Sequence, residues 1–229
     1  MLNRIIKLIY PNSCVLCGKI LPINSIENIE FACKNCKRKL EYYREDSVRR
    51  IPQKSTLEVL VYSFRYEGII RKLMLDYKFN NKKYLYAFFA SQLLNSIQKY
   101  LNINNIKVDY ILYVPISLKR YFERGYNQSQ MIASYVAHKL NIPLVKFGII
   151  KIKNNKRQSE LTRTERISNV RNVYKVFFKK LFLGKTLLLI DDIFTTGATI
   201  DTCCLKLKEA GASKIIVATC TRARHIYEE

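Results

Sequence analysis

The sequence predicts an α/β fold in which a parallel sheet is flanked by helices and preceded by a small four-cysteine module. Residues 110–114 and 187–190 are continuous apolar runs without period-2 alternation, which is typical of parallel strands covered on both faces. Stretches with helical periodicity lie before the first run, at residues 84–100, and between the two runs, up to about residue 140, as in βαβ units. Two Cys-x-x-Cys pairs near the N-terminus indicate the small module.

The length and the net charge of the chain limit the classes of protein to which it can belong. The chain has 229 residues, of which 48% are hydrophobic, which suits one globular domain with an appendage and argues against disorder. We expect a zinc-binding module with an N-terminal helix over residues 1–52 and the α/β domain over residues 53–229. Forty basic residues against eighteen acidic ones give a formal net charge of +22, so the protein should attract nucleic acid or phosphorylated small molecules. The alternative is that the lysines only solvate the surface.

No stretch has the pattern of a secretory signal, and none is apolar for long enough to span a membrane. We therefore expect a cytoplasmic protein. Residues 1–10 predict a short amphipathic helix that packs on the protein itself, with contact to anionic lipid as the alternative.

The cysteine pairs are separated by fifteen residues and consist of Cys14, Cys17, Cys33 and Cys36. This spacing is typical of a zinc ribbon, in which each pair holds the ion from one side. Four protein ligands leave no open coordination position, so the zinc should be structural, and its binding should supply folding energy that so small a module lacks. Redox-active thiols or disulfides are the alternative.

The remaining elements follow from periodicity and from turn residues. We expect strands over residues 57–64, 110–114, 144–150, 173–177 and 214–219, and helices over residues 69–74, 84–100 and 198–210. Residues 124–128 should open a further helix that runs to about residue 140. Residues 115–120 should form a loop at the C-terminal end of a strand, where open parallel sheets bind ligands. Lys119 and Arg120 in that loop can donate charge-assisted hydrogen bonds to a pyrophosphate, with a solvated basic loop as the alternative.

The most informative stretch covers residues 187–199, L-L-L-I-D-D-I-F-T-T-G-A-T, in which a buried strand leads through two carboxylates into a small, hydroxylic loop. The loop precedes a helix, whose N-terminal N–H groups and dipole bind anions. Asp191 and Asp192 can accept hydrogen bonds from vicinal hydroxyls and help to hold a hydrated Mg²⁺. Together these features predict a ribose 5-phosphate ligand. An ordinary strand, loop and helix with a capping aspartate is the alternative, and it leaves the second acid unexplained.

These residues resemble the signature of the type I phosphoribosyltransferases, which bind phosphoribosyl pyrophosphate (PRPP). The resemblance implies a type I phosphoribosyltransferase-like sheet and PRPP bound with Mg²⁺. It assigns to PRPP binding Asp191, Asp192, Thr195, Thr196, Gly197, Ala198 and Thr199. The position of the loop after residues 110–114 adds Pro115, Ile116, Ser117, Lys119 and Arg120 to the expected PRPP site. Residues 153–169 resemble the family's lid, in which Arg163 or Arg166 would neutralise the departing pyrophosphate beside the catalytic Asp191 and Asp192. Pairing with DNA phosphates is the alternative for these arginines.

Further motifs narrow the resemblance to the ComF proteins of bacterial natural transformation. They are the cysteine pairs, Y-V-P at residues 113–115, R-G-Y-N-Q at residues 124–128, the Q-x-x-L-x-R-x-x-R-x-x-N-V pattern at residues 158–170 and the PRPP loop. The resemblance implies the handling of incoming single-stranded DNA, competence or DNA-translocation proteins as partners, and a location in the cytoplasm or at the membrane-bound uptake machinery. One departure is Asp76, where the family has a basic residue, with Lys78 following Tyr77 instead; it argues against a pyrophosphate contact there.

Two functions are consistent with these observations. The first is a ComF-type protein that binds PRPP and single-stranded DNA in DNA uptake, with phosphoribosyl transfer as its expected activity. The alternative is a phosphoribosyltransferase of nucleotide metabolism that transfers ribose 5-phosphate to a base, although residues 220–229 leave little chain for a base-recognising hood. The residues assigned to nucleic-acid binding are Arg124, Lys153, Lys156, Arg157, Arg163 and Arg166.

Overall fold

The computed structural model describes residues 13–22, 31–45, 48–50, 57–152 and 173–223. These ranges form seven helices and seven strands. In chain order they are α1 Lys34–Tyr43, β1 Val48–Arg50, β2 Val59–Arg65, α2 Gly68–Phe79, α3 Leu85–Ile103, β3 Tyr110–Tyr113, α4 Leu118–Arg124, α5 Gln128–Leu140, β4 Ile149–Lys151, β5 Tyr174–Val176, α6 Lys179–Phe182, β6 Thr186–Phe194, α7 Ala198–Glu209 and β7 Lys214–Arg222. None of the helices in the described ranges combines the length and the apolar character needed to cross a bilayer.

The main sheet has five strands in the order β1-β2-β7-β6-β3. The strands β2, β7, β6 and β3 are parallel, and β1 pairs antiparallel with β2 at one edge. The central strands carry continuous apolar runs because helices cover both faces of the sheet. This arrangement confirms the predicted parallel sheet flanked by helices.

Alternate residues of the central strands enter two separate cores. On one face, Leu188 and Ile190 of β6 pack in a core formed with α2, α3 and α5. On the other face, Leu187 and Leu189 pack against α7, α6 and the small β4–β5 sheet. The side-chain period of two along a strand produces this division.

The cysteine module shares the first of these cores. Leu21 and Leu40 are buried in the same cluster as Phe64 and Phe88 of the main domain, and Phe31 makes an edge-on ring contact with Phe88 at 6.1 Å between centroids. The domain boundary expected after residue 52 stays a prediction. Residues before and after it pack in the same core.

Two segments differ from the sequence-based expectation. Residues 118–120, expected in a loop, open helix α4, because Ser117 caps it by accepting a hydrogen bond from the Arg120 N–H at 3.3 Å. The strand expected over residues 144–150 shortens to β4, since Phe147 turns the chain with a φ of 57° and Leu144 makes only an isolated bridge to Ile111. The predicted helix over residues 1–10 and the predicted lid, with its five basic residues, lie outside the described residues.

Candidate functional site

A cleft of about 200 Å³ opens where β3 and β6 end and α5 and α7 begin. This is the edge at which open α/β sheets bind ligands. The residues that line the cleft are Lys78, Val114, Pro115, Ile116, Ser117, Arg120, Arg124, Ser129, Lys151, Tyr174, Asp191, Asp192, Ile193, Thr195, Thr196, Gly197, Ala198, Thr199 and Ile200.

The loop between β6 and α7 depends on Gly197. This glycine precedes α7 with a φ of 78°, in the left-handed region that favours glycine. A Cβ at this position would also lie 2.8 Å from Cζ of Phe194. The hydroxyl of Thr196 accepts a hydrogen bond from the Ala198 N–H at 3.4 Å. The sequence therefore folds into a tight, hydroxyl-rich turn at the N-terminus of a twelve-residue helix, where anions are stabilised.

The two carboxylates of β6 have different environments. Oδ1 of Asp191 accepts hydrogen bonds from the Ser129 hydroxyl at 2.7 Å and from the Asp192 N–H at 2.8 Å. Burial and the neighbouring Asp192 carboxylate nevertheless raise the pKa of Asp191 to about 7. Oδ1 of Asp192 lies 2.8 Å from Nζ of Lys78, and both side chains are largely buried. One carboxylate is thus neutralised by a cation, while the other titrates near neutral pH.

The R-G-Y-N-Q motif joins three elements beside these carboxylates. The Tyr77 hydroxyl at the end of α2 donates to the Gln128 carbonyl oxygen at 2.9 Å, and the Tyr126 hydroxyl donates back to the Tyr77 carbonyl oxygen. The Asn127 side chain donates to the Val114 carbonyl oxygen at the end of β3 and caps α5 by accepting from the Gln130 N–H, each at 3.2 Å. These bonds fix the start of α5, which places Ser129 against Asp191.

Four cations face the cleft together with the two carboxylates. Two of them, Lys78 and Lys151, come from α2 and from the end of β4, and Arg120 and Arg124 come from α4. The Arg124 guanidinium donates to Oε1 of Gln128 at 3.2 Å. Burial and the neighbouring Arg120 lower the pKa of Lys151. This excess of positive charge suits a ligand with several phosphate groups.

The structure brings together most of the residues predicted for PRPP binding. All of them line the cleft except Lys119, whose side chain is 76% exposed and whose Nζ lies 4.0 Å from Oε1 of Glu123. Because α4 begins at Leu118, Lys119 and Arg120 lie on a helix, and only Arg120 reaches the cleft.

Four polar residues of the lining were missed by the sequence reasoning: Lys78, Ser129, Lys151 and Tyr174. Lys78 follows Tyr77, where the family pattern had argued against a ligand contact, and Ser129 follows the R-G-Y-N-Q motif directly. Lys151 and Tyr174 flank the predicted lid and belong to no motif that would have marked them as site residues. Their place in the cleft depends on how the β4–β5 sheet packs.

The four cysteine Sγ atoms lie within 4.8 Å of one another, and those of Cys17 and Cys33 are 3.9 Å apart. A tetrahedral zinc with Zn–S distances of about 2.3 Å separates its sulfur ligands by about 3.8 Å, so the cluster can hold such an ion. The backbone supports this geometry, because Gly18 turns the first pair with a φ of 75° and Cys36 lies in the first turn of α1. A hydrogen bond from the Cys36 N–H lowers the pKa of the Cys33 thiol, which favours the thiolate that binds metal.

A family model described as "Phosphoribosyl transferase domain" matches residues 127–229. The chain is 25% identical over 193 residues to Competence protein F of Haemophilus influenzae, covering 83% of this chain and 84% of that protein. It is 29% identical to Competence protein ComFC of Streptococcus pneumoniae, over 66% of this chain and 63% of that protein. The identity to Competence protein ComFC of Bacillus subtilis is 26%, over 90% of this chain and 75% of that protein. These similarities confirm the resemblance to ComF-type competence proteins.

Proposed function

We propose that this chain, a ComF-type protein with a phosphoribosyltransferase-like domain, binds magnesium-PRPP and single-stranded DNA and acts in DNA uptake. The observation that carries the proposal is that Asp191 and Asp192 share one cleft with the hydroxyl-rich loop at the start of α7. The names of similar proteins, which include competence proteins and DNA utilization proteins, support the role in uptake.

Each part of PRPP has a chemically matched group in the cleft. The loop over residues 195–199 and the N-terminus of α7 suit the 5-phosphate. The carboxylates of Asp191 and Asp192 suit the ribose hydroxyls, which donate hydrogen bonds to them. Arg120 and Lys151 suit the pyrophosphate, because charge-assisted hydrogen bonds to its oxygens are strong. Basic and acidic residues of the cleft together therefore suit a sugar that carries one phosphate at C5 and a pyrophosphate at C1.

The expected reaction is phosphoribosyl transfer. The bond between the anomeric carbon and pyrophosphate breaks, pyrophosphate leaves with the electron pair, and the acceptor's nucleophile forms the new bond and loses its proton to solvent. Magnesium bound with PRPP would neutralise charge on the leaving group, and Asp191 and Asp192 offer the oxygen ligands that this ion prefers. The residues of the cleft position the sugar and stabilise charge, which together account for most of the rate enhancement in such reactions.

A second hollow, of about 520 Å³, adjoins the cleft and suits a single nucleic-acid strand. Lys78 and Arg124 line both spaces. The hollow also contains the 64% exposed ring of Phe79 and Lys83, whose Nζ lies 4.8 Å from the centroid of the Tyr126 ring. Exposed rings stack on bases and cations bind the backbone phosphates, so this composition supports DNA binding next to the sugar. Arg124 lies at the junction between the two spaces.

We also propose that the four cysteines hold a structural zinc ion. All four ligand positions would be filled by protein sulfur atoms, which leaves no place for a catalytic water. The ion would stabilise α1 and the turns around it, and it would take no part in phosphoribosyl transfer.

Calorimetric titration with magnesium-PRPP tests the first part of the proposal. We expect the wild type to bind, and an Asp191→Asn/Asp192→Asn variant to bind at least about a hundredfold more weakly, because several charge-assisted contacts are lost. Glu209→Gln, which removes a carboxylate from the far end of α7, serves as the control and should bind as the wild type does. A wild type that fails to bind magnesium-PRPP would overturn the assignment.

Fluorescence anisotropy with a labelled oligothymidine tests the DNA part. We expect Phe79→Ala and Lys83→Ala to weaken binding severalfold, whereas Tyr84→Ala, which removes a 60% exposed ring outside the hollow, should leave it unchanged. Pyrophosphate release with DNA or with free bases then identifies the acceptor. Turnover with free bases and no measurable DNA binding would favour a phosphoribosyltransferase of nucleotide metabolism instead.

A further inference from the structure

A further space, of about 500 Å³, opens between α3, α4 and α5. We call it the tyrosine hollow, because its lining includes Tyr86, Tyr121, Tyr126 and Tyr135. Its other polar lining residues are Asn127, Gln130, Ser134, His138 and Lys139. None of the described residues that line it is acidic. Rings, amides and basic side chains without carboxylates suit an anionic ligand that carries flat, hydrogen-bonding groups.

Three rings of the tyrosine hollow reach solvent and can receive a flat ligand. Tyr121 is 45% exposed, and Tyr86 and Tyr135 are half-buried. The centroids of the Tyr86 and Tyr135 rings lie 6.4 Å apart in edge-on contact, which joins α3 to α5. A ring that is held by a neighbour and still reaches solvent can stack on a nucleobase with little loss of side-chain entropy.

The tyrosine hollow follows one face of α5. Its lining residues Gln130, Ser134 and His138 recur every four positions, so they lie on the same side of the helix. From Asn127 to His138 the lining extends along about 16 Å of helix. Successive phosphates of a stacked strand are only about 3.4 Å apart. The hollow is therefore longer than a single nucleotide requires.

Basic side chains lie at both ends of the tyrosine hollow. His138 and Lys139 are exposed at the C-terminal end of α5. At the other end, Nζ of Lys83 lies 4.8 Å from the centroid of the Tyr126 ring. Tyr126 also lines the hollow of about 520 Å³ beside the cleft, so the two hollows adjoin. Phosphates on both sides of a base occur in a strand, whereas a free mononucleotide carries phosphate at one end only.

We propose that the tyrosine hollow binds bases of a single nucleic-acid strand whose neighbouring nucleotides occupy the hollow beside the cleft. This inference rests on the proposed DNA binding and adds a second segment to the path of the strand. Tyr121 stacks on a base, the Gln130 amide forms hydrogen bonds with base edges, and Lys139 neutralises a phosphate.

Fluorescence anisotropy with two labelled strands of equal length tests this inference. One is an oligothymidine, and the other has the same sugar-phosphate backbone without bases. We expect Tyr121→Ala to bind the oligothymidine at least about fivefold more weakly, the loss expected when a stack worth about 1 kcal/mol is removed. Its affinity for the base-free strand should equal that of the wild type. Because Tyr121 is 45% exposed, the variant should keep its fold, and thermal unfolding checks this.

Matched controls separate the tyrosine hollow from exposed rings and positive charge in general. Phe122→Ala removes an 81% exposed ring from the same helix, and Phe122 lines neither the two hollows nor the cleft. It should bind both strands as the wild type does. Lys139→Glu should weaken the binding of both strands more than Lys99→Glu does, although the second variant makes the same charge change at an exposed position on α3.

Photo-cross-linking of a strand that contains iodouracil gives a readout independent of affinity. We expect cross-linked peptides that contain Tyr121 or Tyr135. A wild type that binds no strand at low salt would refute the proposed DNA binding itself. If the wild type binds, this inference alone is overturned when Tyr121→Ala behaves as Phe122→Ala, when it loses affinity for both strands equally, or when all cross-links lie outside the hollow. Equal competition by thymidine monophosphate would overturn it in favour of a site for free nucleotides.

Discussion

Raising the pH from 6 to 8 should strengthen the binding of magnesium-PRPP through Asp191. With a pKa of about 7, the Asp191 carboxyl is protonated in about nine tenths of the molecules at pH 6 and in about one tenth at pH 8. Since the ribose hydroxyls and magnesium favour the ionised form, the apparent affinity scales with the ionised fraction and should rise about tenfold. The folding stability of the unliganded protein has the opposite pH dependence. Because folding raises the pKa of Asp191 from 3.8 to about 7, protonation of this carboxyl stabilises the folded state at low pH, and that stabilisation is lost as the pH rises through about 7.

Titration calorimetry in buffers with different ionisation enthalpies measures the protons released on binding. Asp191 should release about 0.9 proton at pH 6 and about 0.1 at pH 8. The 5-phosphate of PRPP also titrates in this range, so the informative quantity is the difference between the wild type and Asp191→Asn. Equal proton release by both proteins, or an affinity that falls as the pH rises, would refute the role given to this carboxyl.

Three further predictions concern the turn, the motif and the metal. Gly184→Ala should lower the free energy of unfolding by about 1–2 kcal/mol, because its backbone is left-handed but a methyl group has open space. Gly197→Ala should lower it by more, because the methyl group would also collide with the Phe194 ring. Chemical denaturation of the two variants measures the difference. Asn127→Ala should cost about 1–2 kcal/mol and weaken PRPP binding, because a helix cap and a bond to β3 are lost; Ser134→Ala on the exposed side of α5 should do neither. Cys17→Ser or a chelator should remove zinc and lower the melting temperature, as metal analysis and calorimetry would show.

The β6 strand and the loop after it were predictable because their sequence is determined by local physics. A strand buried on both faces requires an unbroken apolar run, and a turn with a positive φ requires a residue such as Gly197. The cysteine cluster was predictable for a similar reason, since the spacing of its pairs matches the size of a tetrahedral ion.

The cations of the cleft were only partly predictable, because they depend on how distant elements pack. Lys78 reaches Asp192 because Tyr77 and Tyr126 bond α2 to the start of α5, and no local pattern encodes that contact. Lys119 is the opposite case, a basic residue predicted to line the cleft that does not. Helix α4, which Ser117 caps, directs its side chain toward Glu123 instead.

The shared core of the cysteine module and the main sheet has a consequence for how this protein loses its structure. Phe88 of α3 is packed between Phe64 of β2 and Phe31 of the module. Melting of the cysteine-bearing turns would therefore expose the aromatic side chains that pack on this face of the sheet. We expect a single unfolding transition, so oxidants or metal starvation that act on the four cysteines, of which Cys17 is exposed, would disable the distant cleft as well.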